Sequence, residues 1–192
     1  MGRRWQPLLW GAAIAVGALA VTAVTIMAFR SSGVRDSMPS PENLESQEAS
    51  DFTLPKLDGG EVTLSAFRGE KNVLLFFNEG YGCAPCWQQA VELQKNLQEF
   101  TDLNTEVFAI MVDPPDLLEQ EASRWDLTLP ILVDEDRHVA KAYDALGGMH
   151  ADKPNHTFVF IDQEGVVRWS QDYPSMWVEN DSVLEQVSAI TG

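Results

Sequence analysis

The sequence predicts an α/β sandwich of three layers, with helices on both faces of a mixed central sheet, behind one hydrophobic N-terminal segment. Continuous apolar runs of strand length alternate with segments of helical period after residue 50, which favours parallel strands joined by helices. Two further strand-like runs near the C-terminus are separated by a short turn, which adds antiparallel strands. Residues 8–29 contain no charged side chain, which indicates a membrane-spanning segment.

The N-terminal segment is predicted to be an uncleaved membrane anchor over residues 1–30. At about 1.5 Å per residue, the uncharged run of residues 8–29 spans roughly 33 Å, enough to cross a hydrocarbon core. Arg3 and Arg4 precede the run and weakly favour a cytoplasmic N-terminus. A cleavable signal peptide is the alternative, since Ala18-Leu19-Ala20 fits a cleavage site. Either interpretation places the following domain outside the cytoplasm, and the uncleaved anchor holds it at the cell membrane.

Residues 31–50 are predicted to be a flexible linker, and residues 51–192 the folded domain. The linker contains six Ser, two Pro and one Gly, with no apolar period. The chain has 13 basic and 29 acidic residues, a net charge of -16, and every acidic residue follows residue 35. This acidic surface argues against nucleic-acid binding. It is explained by solvation alone or by a cationic protein partner.

The elements of the domain follow from the apolar pattern. A strand is expected at 61–64, after the Asp58-Gly59-Gly60 turn, and another at 72–77, whose continuous apolar run suits burial on both faces. Further strands are predicted at 105–112 and 129–133, and a hairpin at 157–161 and 166–170 around the turn 162–165. Helices are predicted at 84–101, 116–125, 137–146 and 180–190.

The two cysteines of the chain lie between the buried strand 72–77 and the helix that follows it. Cys83 and Cys86 are separated by Ala84 and Pro85, so that a small disulfide ring fits within the first helical turn. A helix N-terminus has partial positive charge and free N–H groups, which favour a thiolate at Cys83 and lower its pKa. Cys83 is therefore predicted to be the exposed nucleophile and Cys86 the less exposed resolving thiol. Half of a zinc site and an inert pair are the alternatives, but the chain has no second cysteine pair.

Region 51–192 resembles the thioredoxin-fold redoxins, which include the alkyl hydroperoxide reductase/thiol-specific antioxidant family and the membrane-anchored thiol-disulfide oxidoreductases. The resemblance implies a thioredoxin-like fold and a redox-active cysteine pair. The motifs that carry it are Asp51-Phe-Thr-Leu54, Leu64-Ser-Ala-Phe-Arg-Gly69, Cys83-Ala-Pro-Cys86 and Thr157-Phe-Val-Phe-Ile-Asp162 before Gly165.

The chain also departs from both groups. Peroxiredoxins place Thr or Ser three residues before the peroxidatic cysteine and a Pro further back, where this chain has Gly80 and Phe76. The anchored oxidoreductases often have Trp before the first cysteine and Glu three residues after the second, where this chain has Gly82 and Gln89. Glu79 is a candidate replacement acid/base, with an exposed loop carboxylate as the alternative.

The resemblance implies further site residues in the loop before the strand at 157–161. Pro154 is the candidate for the cis-proline that thioredoxin-like folds set against the cysteine pair; a trans loop proline is the alternative. His156 has three candidate roles: a partly buried hydrogen-bonding residue, a group that stabilises the Cys83 thiolate, or a copper ligand together with both cysteines. His138 and His150 have no motif support and are expected at the surface.

These observations predict a membrane-tethered, extracytoplasmic thiol-disulfide oxidoreductase that attacks a partner's disulfide through Cys83 and is released by Cys86. The candidate catalytic residues are Cys83, Cys86, Pro154, Glu79 and His156. The expected partners are protein disulfides or dithiols and a membrane or extracytoplasmic electron donor, with no cofactor. The alternatives are a peroxiredoxin-like peroxidase with Cys83 as peroxidatic thiol, and a copper-delivering redoxin that uses Cys83, Cys86 and His156.

Overall fold

The centre of the fold is a five-stranded mixed sheet. The computed structural model describes residues 44–147 and 150–192. Strands in this part of the chain are β1 (Thr53–Pro55), β2 (Glu61–Thr63), β3 (Asn72–Phe77), β4 (Thr105–Met111), β5 (Ile131–Val133), β6 (Thr157–Ile161) and β7 (Val167–Asp172). The sheet order is β5-β4-β3-β6-β7, with β3, β4 and β5 parallel and β6 and β7 antiparallel to their neighbours. β1 and β2 form a separate antiparallel pair.

The central strand β3 is buried on both faces. All six of its residues are buried, and its side chains alternate between two hydrophobic cores. Leu75 and Phe77 lie in the core beneath β1, while Leu74 and Phe76 lie in the opposite core. A continuous apolar run is the pattern that such a strand requires, and the prediction of a buried strand at 72–77 is confirmed.

Helices cover both faces of the sheet, which confirms the predicted α/β sandwich with a mixed sheet. The helices are α1 (Ala84–Lys95), α2 (Leu97–Asp102), α3 (Pro115–Arg124), α4 (His138–Ala142) and α5 (Asn180–Thr191). α1, α2, α3 and α5 contribute buried side chains to the core that contains Phe76. α4 and a 3-10 helix at Leu64–Phe67 contribute to the core that contains Phe77.

Two predicted helices differ in extent from those observed. The helix predicted over 84–101 is divided at Asn96, whose backbone (φ -101°, ψ 12°) leaves the helical conformation. The helix predicted over 137–146 is only the short α4. Asp144 has a left-handed backbone (φ 50°) that ends the helical turn, and Leu146 then pairs with Pro154 in a β-bridge.

The folded domain begins before residue 51, the predicted boundary. The backbone N–H of Ser46 donates to the carbonyl of Val167 over 2.8 Å, and the N–H of Ala49 donates to that of Gly165 over 2.8 Å. Ala49 is buried in the core beneath β1. The last residues of the predicted linker are therefore paired with the β6–β7 hairpin.

The predicted anchor, residues 1–30, lies outside the described residues. Residues 31–43 of the predicted linker also lie outside them. Within 44–147 and 150–192, no helix combines the length and apolar character needed to cross a bilayer.

His156 is a titratable side chain in the interior of the fold. The ring of His156 is fully buried and packs edge-on against Phe76, with ring centroids 4.7 Å apart. Its Nε2 lies 3.4 Å from Oε1 of Gln89, and its Nδ1 has no hydrogen-bond partner. Burial lowers the pKa of His156 to about 4, because the charged imidazolium would lose its hydration.

We predict that this histidine makes the fold acid-sensitive. Its pKa is lower in the folded than in the unfolded chain, so the unfolded chain binds more protons between pH 6.5 and 4 and stability falls as the pH falls through this window. The full effect is about 3 kcal/mol. Urea unfolding measured from pH 7 to 4.5 should show a shallower loss for His156→Phe than for the wild type. The exposed His138 provides the control, and a His138→Gln variant that removes the same pH dependence would contradict the assignment.

Candidate active site

Cys83 and Cys86 are joined by a disulfide at the point where β3 leads into α1. Their Cα atoms are 5.3 Å apart. Cys83 is the N-cap residue of α1, and its Sγ accepts a hydrogen bond of 3.3 Å from the backbone N–H of Cys86. The first turn of α1 contains no acidic residue, so the helix N-terminus is free to stabilise negative charge on Cys83 in the reduced form.

The two sulfurs differ in exposure less than the sequence predicts. Cys83 is 7% exposed and Cys86 is fully buried. Cys83 is thus the more accessible of the two, as expected, but in the disulfide form it is not an exposed residue. Its neighbours Gly82, Ala84 and Pro85 are exposed, so a reactant approaches Cys83 from their side.

The loop that leads into Cys83 is held by its own backbone groups. The N–H of Gly80 donates to Oδ1 of Asn78 over 3.0 Å. The carbonyl of Gly80 accepts from the N–H of Cys83 over 3.1 Å and from the indole Nε1 of Trp87 over 2.9 Å. Trp87 is fully buried beneath the loop, so these bonds connect the approach to Cys83 with the core.

An ion pair that sequence reasoning missed fixes the same loop. Lys153 Nζ lies 3.0 Å from Oδ1 of Asp113 and donates to the carbonyl oxygens of Glu79 and Tyr81, each over 3.0 Å. Asp113 Oδ2 accepts from the N–H of Tyr81 over 2.8 Å. Gly80 has a left-handed backbone (φ 71°), and a Cβ there would collide with Asp113 Oδ2. Asp113 and Lys153 are 40 residues apart in the chain, so no local sequence motif predicts that they form an ion pair.

Glu79 does not lie free in the loop. Its side chain is 13% exposed, and its Oε1 is 2.9 Å from Nδ1 of His150. His150 is exposed at the surface, as predicted, but its contact with Glu79 was not expected. An acid/base role for Glu79 stays a prediction.

Pro154 corrects the expectation of a cis-proline. No peptide bond among the described residues is cis, so the bond before Pro154 is trans. Pro154 is buried and forms a β-bridge with Leu146, while the N–H of Asn155 donates to the carbonyl of Ala145 over 2.7 Å. Backbone pairing with residues 145–146, and not a cis peptide bond, therefore fixes the conformation of this segment.

His156 takes the first of its three candidate roles, that of a buried hydrogen-bonding residue. With a pKa of about 4, the imidazole is neutral near pH 7 and supplies no positive charge. Gln89, at the position where related oxidoreductases often have Glu, is also fully buried and shares its Oε1 between His156 and the N–H of Val178. His156 and Gln89 thus form a neutral polar pair behind α1.

The copper set proposed from the sequence is not assembled. Among the described residues, one group of three metal-ligating side chains has its ligand atoms within 4.8 Å of one another, and it consists of Asp134, Asp136 and His138. Cys83, Cys86 and His156 do not form such a group. The geometry therefore gives no support to the copper-delivering alternative.

Curated relatives of the chain include proteins named as a putative peroxiredoxin and as an alkyl hydroperoxide reductase. A Mycobacterium tuberculosis protein named "putative peroxiredoxin" is 36% identical over 96 residues, which are 50% of this chain and 60% of that protein. The chain thus spans less than two thirds of that relative. Alkyl hydroperoxide reductase E of the same species is 33% identical over 125 residues, which are 64% of this chain and 81% of the relative.

Solved structures and a family model agree with these relatives. The reduced 2-Cys peroxiredoxin of Plasmodium vivax has a TM-score of 0.68 and 26% identity, and the match covers 77% of this chain and 96% of that chain. The model of the AhpC/TSA family matches residues 46–170, which include both cysteines, the loop before them and most of the β6–β7 hairpin. The chain belongs to the AhpC/TSA family of thioredoxin-fold redoxins.

Proposed function

We propose that the protein is a thiol-dependent peroxidase in which Cys83 attacks a hydroperoxide and Cys86 resolves the product. The observation that carries the proposal is the Cys83–Cys86 disulfide at the N-terminus of α1 in a chain of the AhpC/TSA family. The named peroxiredoxin relatives favour this reaction over the thiol-disulfide exchange that the sequence favoured.

The reaction proceeds in two balanced steps. The Cys83 thiolate attacks the distal oxygen of a hydroperoxide, the O–O bond breaks, and the alkoxide takes a proton to leave as an alcohol while Cys83 becomes a sulfenic acid. The Cys86 thiol then attacks the Cys83 sulfur, the disulfide forms, and the hydroxyl leaves as water with the thiol proton. A dithiol reductant returns both cysteines to the thiol state through exchange at Cys83.

The geometry supports the second step directly. Cys83 and Cys86 lie within one helical turn, and the disulfide spans Cα atoms only 5.3 Å apart. Such a ring closes without unwinding α1. The first step relies on the helix N-terminus, since position 80 is a glycine and supplies no hydroxyl donor for a peroxide.

The proposal predicts separate effects for the two cysteines. Cys83→Ser should abolish hydroperoxide consumption, because the attacking thiolate is lost. Cys86→Ser should allow one equivalent of peroxide to react and then stop at the sulfenic acid, which a dimedone adduct detected by mass spectrometry would reveal. Stopped-flow oxidation of the reduced chain gives the rate. If Cys83 reacts with peroxide no faster than free cysteine does, the peroxidase proposal fails.

Thiol-disulfide exchange with protein partners is a second candidate, favoured by the surface around Cys83. Gly82, Ala84 and Pro85 are exposed and uncharged, and Tyr81 is 44% exposed, which leaves room for an extended peptide beside the sulfur. In that case Cys83 forms a mixed disulfide with the partner, and Cys86 releases it.

Exchange predicts a different set of products. The reduced wild-type chain should reduce insulin disulfides, Cys86→Ser should accumulate a mixed disulfide at Cys83, and Cys83→Ser should be inactive. Non-reducing electrophoresis and mass spectrometry identify the adduct. Equal insulin reduction by the wild type and both serine variants would exclude catalysis by this pair.

We further propose that the redoxin domain is tethered at the outer side of the cytoplasmic membrane and receives electrons there. The uncharged run of residues 8–29 and the arginines that flank it support this proposal. The full chain expressed in bacteria should stay with the membrane fraction after carbonate extraction, while a chain that begins at residue 39 should not. Protease added to intact spheroplasts should remove the domain, and protection of the domain from protease would contradict the orientation.

A further inference from the structure

We propose that the Asp113–Lys153 ion pair is a positioning device that sets the ionisation of Cys83 and holds the loop before it. This inference deepens the proposed function and rests on Cys83 being the reactive sulfur. The two residues come from separate segments of the chain: Asp113 follows β4, and Lys153 precedes β6.

The pair is largely removed from water. The side chains of Lys153 and Asp113 are only 22% and 11% exposed. Three acceptors surround the ammonium group: the carboxylate of Asp113 and the carbonyls of Glu79 and Tyr81. Charges that are this well shielded act on their neighbours more strongly than solvated surface charges do.

The pair binds both backbone polar groups of one loop residue, Tyr81. Asp113 accepts the N–H of Tyr81, and Lys153 binds the carbonyl of the same residue, two positions before Cys83. Asp113 Oδ2 lies where a Cβ atom of residue 80 would be, so the loop can pack against the carboxylate only because residue 80 is a glycine. The hydroxyl side chain that peroxiredoxins place at this position is thus replaced by a buried carboxylate and its ammonium partner.

Among the described residues, a second contact between titratable side chains lies at the loop before Cys83. Glu79 Oε1 lies 2.9 Å from Nδ1 of His150, and the carboxylate of Asp152 lies 4.0 Å from the guanidinium of Arg137. The first turn of α1 has no acidic residue, and residues 173–178, whose Val178 contacts Gln89 of α1, contain no charged side chain. The field at Cys83 therefore depends on the balance between Asp113 and Lys153, together with the Glu79–His150 pair and the helix dipole.

Removal of the Lys153 charge and removal of the Asp113 charge should therefore change the ionisation of Cys83 in opposite directions. Removal of the Lys153 charge leaves an unpaired carboxylate, which disfavours the Cys83 thiolate. Removal of the Asp113 charge leaves an unpaired ammonium, which favours the thiolate. A purely structural role predicts the same direction for both changes, because each frees the loop.

The experiment measures the ionisation of Cys83 in the full chain with Cys86→Ser, so that one thiol remains. Rates of alkylation by iodoacetamide are recorded from pH 5 to 9 for this reference and for the added changes Lys153→Met and Asp113→Asn. We expect the thiolate fraction near its midpoint to fall about two- to five-fold with Lys153→Met and to rise by a similar factor with Asp113→Asn. Lys153→Arg, which keeps the charge, should stay closer to the reference than Lys153→Met does.

Lys71→Met is the matched control, because it removes a lysine from a solvent-exposed ion pair with Glu106 and should leave the profile unchanged. Shifts in the same direction for Lys153→Met and Asp113→Asn, or no shift in either, would overturn the inference. Circular dichroism shows whether each variant is folded, and the less disruptive Lys153→Arg and Asp113→Asn carry the test if Lys153→Met unfolds. Alkylation needs neither peroxide nor a protein partner, so this result is independent of the proposed peroxidase activity.

Discussion

The burial of β3 on both faces determines where the two sulfurs lie. A strand with helices above and below it must be apolar throughout, and β3 meets this requirement with side chains that alternate between the two cores. Because β4 runs parallel to β3, the C-terminal ends of both strands lie at the same edge of the sheet, where α1 begins. This arrangement brings Asp113, which follows β4, into contact with Gly80 and Tyr81 of the loop that leads from β3 to Cys83.

This contact explains why the site differs from the pattern of peroxiredoxins at position 80. A side chain at that position and the carboxylate of Asp113 compete for the same space, and here the carboxylate occupies it. A buried carboxylate is unfavourable unless it is paired, and Lys153 supplies the charge while Tyr81 supplies an N–H. The glycine, the aspartate and the lysine thus depend on one another: a change at any one of them leaves a steric conflict or an unpaired charge at the loop before Cys83.

Much of the fold could be predicted from the sequence, whereas the immediate surroundings of the cysteines could not. β3 and the β6–β7 hairpin are encoded by local apolar patterns and a turn, so their limits agree closely with the prediction. The pair of Asp113 and Lys153 is a long-range contact that no local period reveals. The burial of His156 also depends on packing by Phe76 from another strand, and this packing makes His156 a neutral core residue. The early end of α4 follows from the β-bridge between Leu146 and Pro154, which competes with further helix.

The difference in burial between the two sulfurs also limits the order of events in any reaction of this site. Cys86 lies in the first turn of α1 and is fully buried, so an incoming peroxide, thiol or peptide disulfide reaches Cys83 first. Both candidate functions therefore begin with the same nucleophile and end with the same disulfide, and they differ only in the electrophile that Cys83 meets. A small hydroperoxide needs donors that stabilise the departing oxygen, whereas a peptide disulfide needs open surface beside the sulfur. The chain combines the open surface around Gly82 and Pro85 with a helix N-terminus in place of a hydroxyl donor, so the selectivity of Cys83 depends on how strongly the buried charges next to the loop activate its thiolate.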